Sequence, residues 1–208
     1  MVATAPKVSV DAAEYELALE RSHQVVASRM LLLVFWGLIF AKCCILQWAI
    51  FTYDIPVDGG LFIWAPSIIF GAVCSFVYGK VTLEEFHQTP LTSRMVRGIW
   101  AACIVAMALF GIAAVGLGGM NPYLLPAIFG TLMGVGFFIQ GLVDTRRYLQ
   151  AAAIGWWIGS IWLFVESGPA SLLSLAVLIV ALQVVPTSLF YWQERKAQKQ
   201  RAGVEYEI

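Results

Sequence analysis

Residues 30–51 read MLLLVFWGLIFAKCCILQWAIF, an unbroken apolar run in which Lys42 is the only charged side chain. The hydrocarbon core of a bilayer is about 30 Å thick and takes about 20 residues of helix to cross, so a run of this length and character has lipid as its solvent. Working outward, the stretches Leu61–Tyr78, Ile99–Leu117, Tyr123–Val143, Tyr148–Val165 and Ala170–Trp192 meet the same test. The composition agrees, with 60% of the 208 residues hydrophobic, 12% charged and a mean hydropathy of +0.80. Soluble domains are about half apolar and about a quarter charged. A water-soluble domain is therefore excluded, and the expected fold is an all-α membrane protein, a six-transmembrane-helix bundle. The formal net charge is zero, so nothing in the total points to nucleic acid.

The distribution of cations sets the expected orientation, because Lys and Arg accumulate on the cytoplasmic side in short loops. Lys7, Arg21 and Arg29 precede the first span; Lys80, Arg94 and Arg97 lie between the second and third; Arg146 and Arg147 lie between the fourth and fifth; and Arg195, Lys196, Lys199 and Arg201 follow the sixth. The remaining connections, near Thr52–Gly60, Gly118–Pro122 and Glu166–Pro169, hold no Lys or Arg. Both termini are therefore expected in the cytoplasm, in a bacterial inner membrane. With outer connections this short, the helices are expected to pair as three antiparallel hairpins. Trp48, Tyr53 and Tyr123 on one side, and Tyr78, Trp100, Tyr148, Tyr191 and Trp192 on the other, fit interfacial belts.

The chain divides into a cytoplasmic N-terminal segment (1–29), the transmembrane domain (30–192) and a basic cytoplasmic tail (193–208). The first segment is polar and acidic, unlike a cleaved signal peptide. Asp11 and Glu14 have the form of a capping box, and good helix formers follow, so a short helix is expected ahead of the first span. The segment Val81–Arg97 is expected to be a solvated connector, though it is long enough for an interfacial helix broken at Pro90, and it is the connection with room for docking or regulation.

Membrane helices associate through close backbone approach at small residues. Gly71, Ser75 and Gly79 in the second span, Gly130 and Gly134 in the fourth, and Ala151, Gly155 and Gly159 in the fifth stand at four-residue spacing and are expected to pack helices or join copies of the chain. Ile69-Phe70-Gly71 and Ile128-Phe129-Gly130, each following a proline (Pro66, Pro126), raise the expectation of a duplicated hairpin. Pro126 and Pro186 interrupt spans, freeing backbone carbonyls.

Lys42 is the most informative residue, since a charge in mid-bilayer is a functional hypothesis by default. Its candidate partners are Glu166, Asp54 and Asp58, or the amides Gln47, Gln140 and Gln183; the bland alternative is that it snorkels to the outer surface. Lys42, Gln47, Gln140, Glu166 and Gln183 together are the candidate intramembrane polar site. Cofactor chemistry is poorly supplied. The histidines, His23 and His87, lie outside the spans, and Cys43, Cys44, Cys74 and Cys103 fall in apolar runs without metal-binding spacing. No Walker loop or dinucleotide fingerprint is present, and no span pairs Ser with His. Span count alone resembles the HdeD-like acid-resistance proteins and the urea and amide channels, but acid-gated urea channels are marked by titratable histidines and acids on outer loops that hold no histidine here, and no residue is carried over from either family. No metal or cofactor is therefore expected. The expected role is a non-catalytic accessory, regulatory or scaffolding subunit contacting other membrane or cytoplasmic proteins, with self-association a further option. The alternative is a small-solute or ion channel with Lys42 on its pathway.

Overall fold

The computed structural model describes residues 12–83 and 91–204, and among them there is no strand. Seven α-helices follow one another: α1 (Ala12–Thr52), α2 (Ala65–Leu83), α3 (Leu91–Gly111), α4 (Leu125–Val143), α5 (Arg147–Val165), α6 (Ala170–Ile179) and α7 (Val185–Val204). They build six helices long and apolar enough to cross a membrane: Met30–Thr52, Gly60–Lys80, Arg94–Gly116, Pro122–Val143, Arg147–Val165 and Ala170–Gln193. The last joins α6 to α7.

The short leading helix and the first span are one continuous helix of 41 residues. No Gly or Pro stands between Pro6 and Gly37, so nothing local stops the helix at the membrane boundary. Asp11, and with it the capping box, lies outside the described residues, as do residues 84–90 of the Val81–Arg97 connection; α3 begins at Leu91, directly after Pro90.

Three π turns widen these helices, at Gly60–Trp64, Ile112–Gly116 and Val180–Val184. In two of them a proline follows two residues after the turn: Pro66 and Pro186. A proline in a helix has no N–H and its ring collides with the carbonyl four residues back. Opening the preceding turn to the wider register, with Ala65 N–H on Gly60 O and Val185 N–H on Val180 O, makes room for the ring. Pro126 needs no such device. It does not interrupt a span: it stands in the first turn of α4, where the missing N–H has no helical acceptor.

Lipid gives helices no hydrophobic reason to associate, so the core is built by shape. Its members, including Phe137, Leu149, Trp156, Leu163 and Ile179, come from the first, fourth, fifth and sixth spans. The fourth and fifth spans make the most extensive contact, followed by the first and sixth. Their glycines receive large side chains. A Cβ on Gly134 would stand 2.4 Å from the Trp157 indole nitrogen, and one on Gly130 would stand 2.6 Å from Ser160 Oγ. Leu182 and Leu178 of the sixth span seat against Gly155 and Gly159, at 2.8 and 2.6 Å from the added carbon. The connection Asp144–Arg146 is tight, with Arg146 N–H on Gly141 O and Thr145 held at φ 53°, a left-handed position that glycine usually fills.

The second and third spans lie on the outside. Only 11% of each is buried, against 33% of the fourth and fifth. Gly71 lies under Trp36 of the first span and Gly136 under Trp100 of the third, whereas Gly79 faces open space, with nothing within 4 Å of its Cβ position. The two Ile-Phe-Gly segments thus take different neighbours: Gly71 backs onto the span before it, Gly130 onto the span after it.

Candidate functional site

Lys42 stands one residue past the middle of the first span, yet its side chain is exposed on the outside of the bundle rather than turned into the core. Its ammonium donates a 3.0 Å hydrogen bond to Ser67 Oγ of the second span. Further polar contacts tie the same two helices: Trp36 Nε1 to Ser75 Oγ at 3.0 Å, Cys43 Sγ to Ile63 O at 4.0 Å, and Trp64 Nε1 to Gln47 Oε1 at 3.2 Å. Gly59 lets Gln47 sit against the chain, since a side chain there would overlap the amide. Asp58 Oδ1 accepts from Leu61 N–H at 3.2 Å and caps the start of the π turn. These bonds add to the seat of Trp36 against Gly71 in joining the two helices.

The physical origin of the site is the proline. Pro66 removes an N–H from the helix, so a carbonyl in the preceding turn loses its helical partner. Ser67, the next residue, is buried and presents its hydroxyl to Lys42. Between the two helices lies a groove of about 240 Å³, lined by Lys42, Leu46, Phe62, Pro66, Ser67 and Phe70 among others. A lysine at mid-span costs about 3 kcal/mol on insertion scales, and one interhelical hydrogen bond in lipid returns about 0.6–2 kcal/mol. The hydroxyl therefore does not offset the charge. An ammonium has three donors, and Ser67 takes one of them.

None of the expected partners reaches Lys42. Gln47 accepts from Trp64; Gln140 accepts from Trp100 Nε1 at 2.8 Å and donates to Asp144 at 3.2 Å. Glu166 accepts from Trp162 Nε1 and Ser174 Oγ, both at 2.9 Å. Gln183, inside the third π turn, donates to Leu33 O at 2.7 Å across Gly37, while its own Oε1 is buried without a partner. The five polar residues read from the sequence are thus spread over separate interhelical contacts, and Ser67 and Pro66 complete the site around Lys42. The adjoining Pro-Ser pair, 66–67, in an otherwise apolar run was the signal for them.

A serine hydroxyl on a lysine amine has the pairing of a nucleophile and its base. Acyl transfer also needs donors aimed at the developing oxyanion, and the backbone beside Ser67 supplies the opposite: Pro66 has no N–H, and what the turn frees are carbonyls. Among the described residues no three His, Cys, Asp or Glu side chains gather to hold a metal ion. Of the cysteines, Cys43, Cys44 and Cys103 are buried, in keeping with packing.

Comparison with family models, with curated proteins and with solved structures finds no match for the chain. The functional reading therefore rests on the arrangement of its own residues.

Proposed function

We propose that the protein is a non-catalytic polytopic subunit of a bacterial inner membrane, an accessory or scaffolding component that associates with other proteins in the plane of the bilayer. In this reading the spans pair as three antiparallel hairpins, both termini lie in the cytoplasm, and the basic tail and the segment around Val81–Arg97 are the surfaces available to cytoplasmic partners. The observation that carries the reading is the position of Lys42: the single charge at the middle depth of any span lies on the outer surface of the bundle, next to a lightly packed helix. The centre between the first, fourth, fifth and sixth spans is filled by Trp156, Phe137 and Leu163, each fully buried, which supports packing over conduction there.

Co-purification from native membranes in a mild detergent tests the reading. Recovery of the chain in a defined complex is the expected result, and recovery always alone removes the basis for it. A solute pathway makes the contrary prediction that the purified chain in liposomes passes small solutes and that Lys42→Met changes the flux. Orientation is tested by single-cysteine labelling at positions 54 and 146 in an otherwise cysteine-free chain. An impermeant maleimide added outside the cell is expected to reach position 54 and not 146.

A further inference from the structure

We infer that the groove between the first and second spans is the docking site for a transmembrane helix of a different protein, one that carries an aspartate or glutamate near the middle of its own span. The inference rests on the reading of the chain as a membrane subunit and names the chemistry of its partner. Charge complementarity is the leading argument. Lys42 is left with a neutral hydroxyl as its partner, and two of its three candidate acids are engaged elsewhere: Asp58 on Leu61 N–H, Glu166 on Trp162 and Ser174. A carboxylate seated in the groove would take the ammonium donors that Ser67 leaves, and Leu46, Phe62 and Phe70 supply apolar walls for the flanking turns of the incoming helix.

Depth decides between the occupants. Ser67 lies three residues from Phe70, the middle of the second span Gly60–Lys80. At about 1.5 Å per residue the ammonium is about 4.5 Å from mid-span, and the hydrocarbon boundary is about 15 Å from mid-span, so the charge stops about 10 Å short of that boundary, with the lipid phosphates further out still. A headgroup does not reach it. A second copy of this chain does not neutralise it either, because none of the six spans contains Asp or Glu. A foreign helix with a mid-span carboxylate is the occupant that meets the charge at its own level, as intramembrane ionisable groups pair with one another.

The test uses the purified full chain in bilayers with synthetic single-span peptides of leucine and alanine, labelled for energy transfer. A peptide with one central aspartate is expected to associate about tenfold more tightly than the same peptide with leucine there, the size of one strong interhelical polar contact. The preference is expected to vanish in Lys42→Met, to persist in Lys42→Arg, and to be lost when the aspartate is moved two turns toward the peptide end. Equal association of the two peptides by the wild type, or a preference that survives in Lys42→Met, overturns the proposal. So does loss of the aspartate preference when phosphatidylglycerol is added to the bilayer, which assigns the groove to a lipid headgroup. A native complex that survives Lys42→Met would leave the subunit reading standing and remove this one.

Discussion

Gly134→Ala is the sharpest probe of how the central spans are held together. The added methyl carbon would lie 2.4 Å from Trp157 Nε1, 2.5 Å from Cδ1 and 3.0 Å from Cε2, so it would meet the rigid face of an indole rather than the end of a flexible chain. That indole also packs on Phe138, with ring centroids 5.6 Å apart, which restricts its retreat. Relief requires the fourth and fifth spans to part by about 1 Å, and overpacking of this kind typically costs about 1–3 kcal/mol. Gly79→Ala is the matched control, because nothing lies within 4 Å of its Cβ position. There the gain in helix propensity, about 0.5–1 kcal/mol, is the whole effect. Unfolding in bicelles followed by steric trapping measures both. The expected result is a loss in Gly134→Ala, none in Gly79→Ala, and disappearance of the loss in a Trp157→Ala background. Equal effects at the two glycines, or an undiminished loss without the indole, would refute the packing argument.

Thr145→Gly should raise stability by about 1 kcal/mol, since a β-branched residue now occupies a left-handed position at φ 53°; unchanged unfolding would show that the turn carries no strain. Trp100→Phe removes the 2.8 Å bond to Gln140 that links the third span to the fourth. It should cost about 0.6 kcal/mol, and a double-mutant cycle with Gln140→Leu, which also removes the bond to Asp144, should read a coupling of about that size. Gln183→Met deletes a buried unpartnered Oε1 along with the bond to Leu33 O. The first effect, about 1–3 kcal/mol, exceeds the second, about 0.6 kcal/mol, so this variant should be the more stable in the same assay. A marked loss would assign the amide a structural role.

The spans were legible in the sequence because the solvent acts on every residue of a crossing helix. Met30, Val143, Val165 and Ala170 mark the same span ends in both readings, and the largest difference is at the third span, which begins at Arg94 rather than Ile99. Which face of each helix turns inward was not legible. In water a polar stripe marks the outside, but in lipid Ile154, exposed, and Leu163, fully buried, are the same kind of residue on one helix. Gly79 and Gly134 likewise stood as equals in the four-residue rows, and only the neighbouring spans tell them apart. The partner of Lys42 was hidden for another reason. Carboxylates and amides were the candidates, while the residue that meets it is a serine hydroxyl one place after a proline and a widened turn.

The extra residue in each π turn also sets the phase of everything downstream. An α-helix turns about 100° per residue, so the register beyond Val184 is rotated by about that angle from a helix without the insertion. Leu178 addresses the fifth span before this shift and Leu182 does so from within the widened turn, while Thr187 and Phe190, which stacks on Tyr148 at 3.8 Å, are aimed by it afterwards. Losing a single codon within Val180–Val184 would shorten the helix by a trivial length, yet it would swing the whole of α7 to a new azimuth, carrying the cations at Arg195 and Lys196 with it. Deletions there are thus expected to be far more disruptive than any single replacement, and the bulge works as an angular setting for the end of the chain.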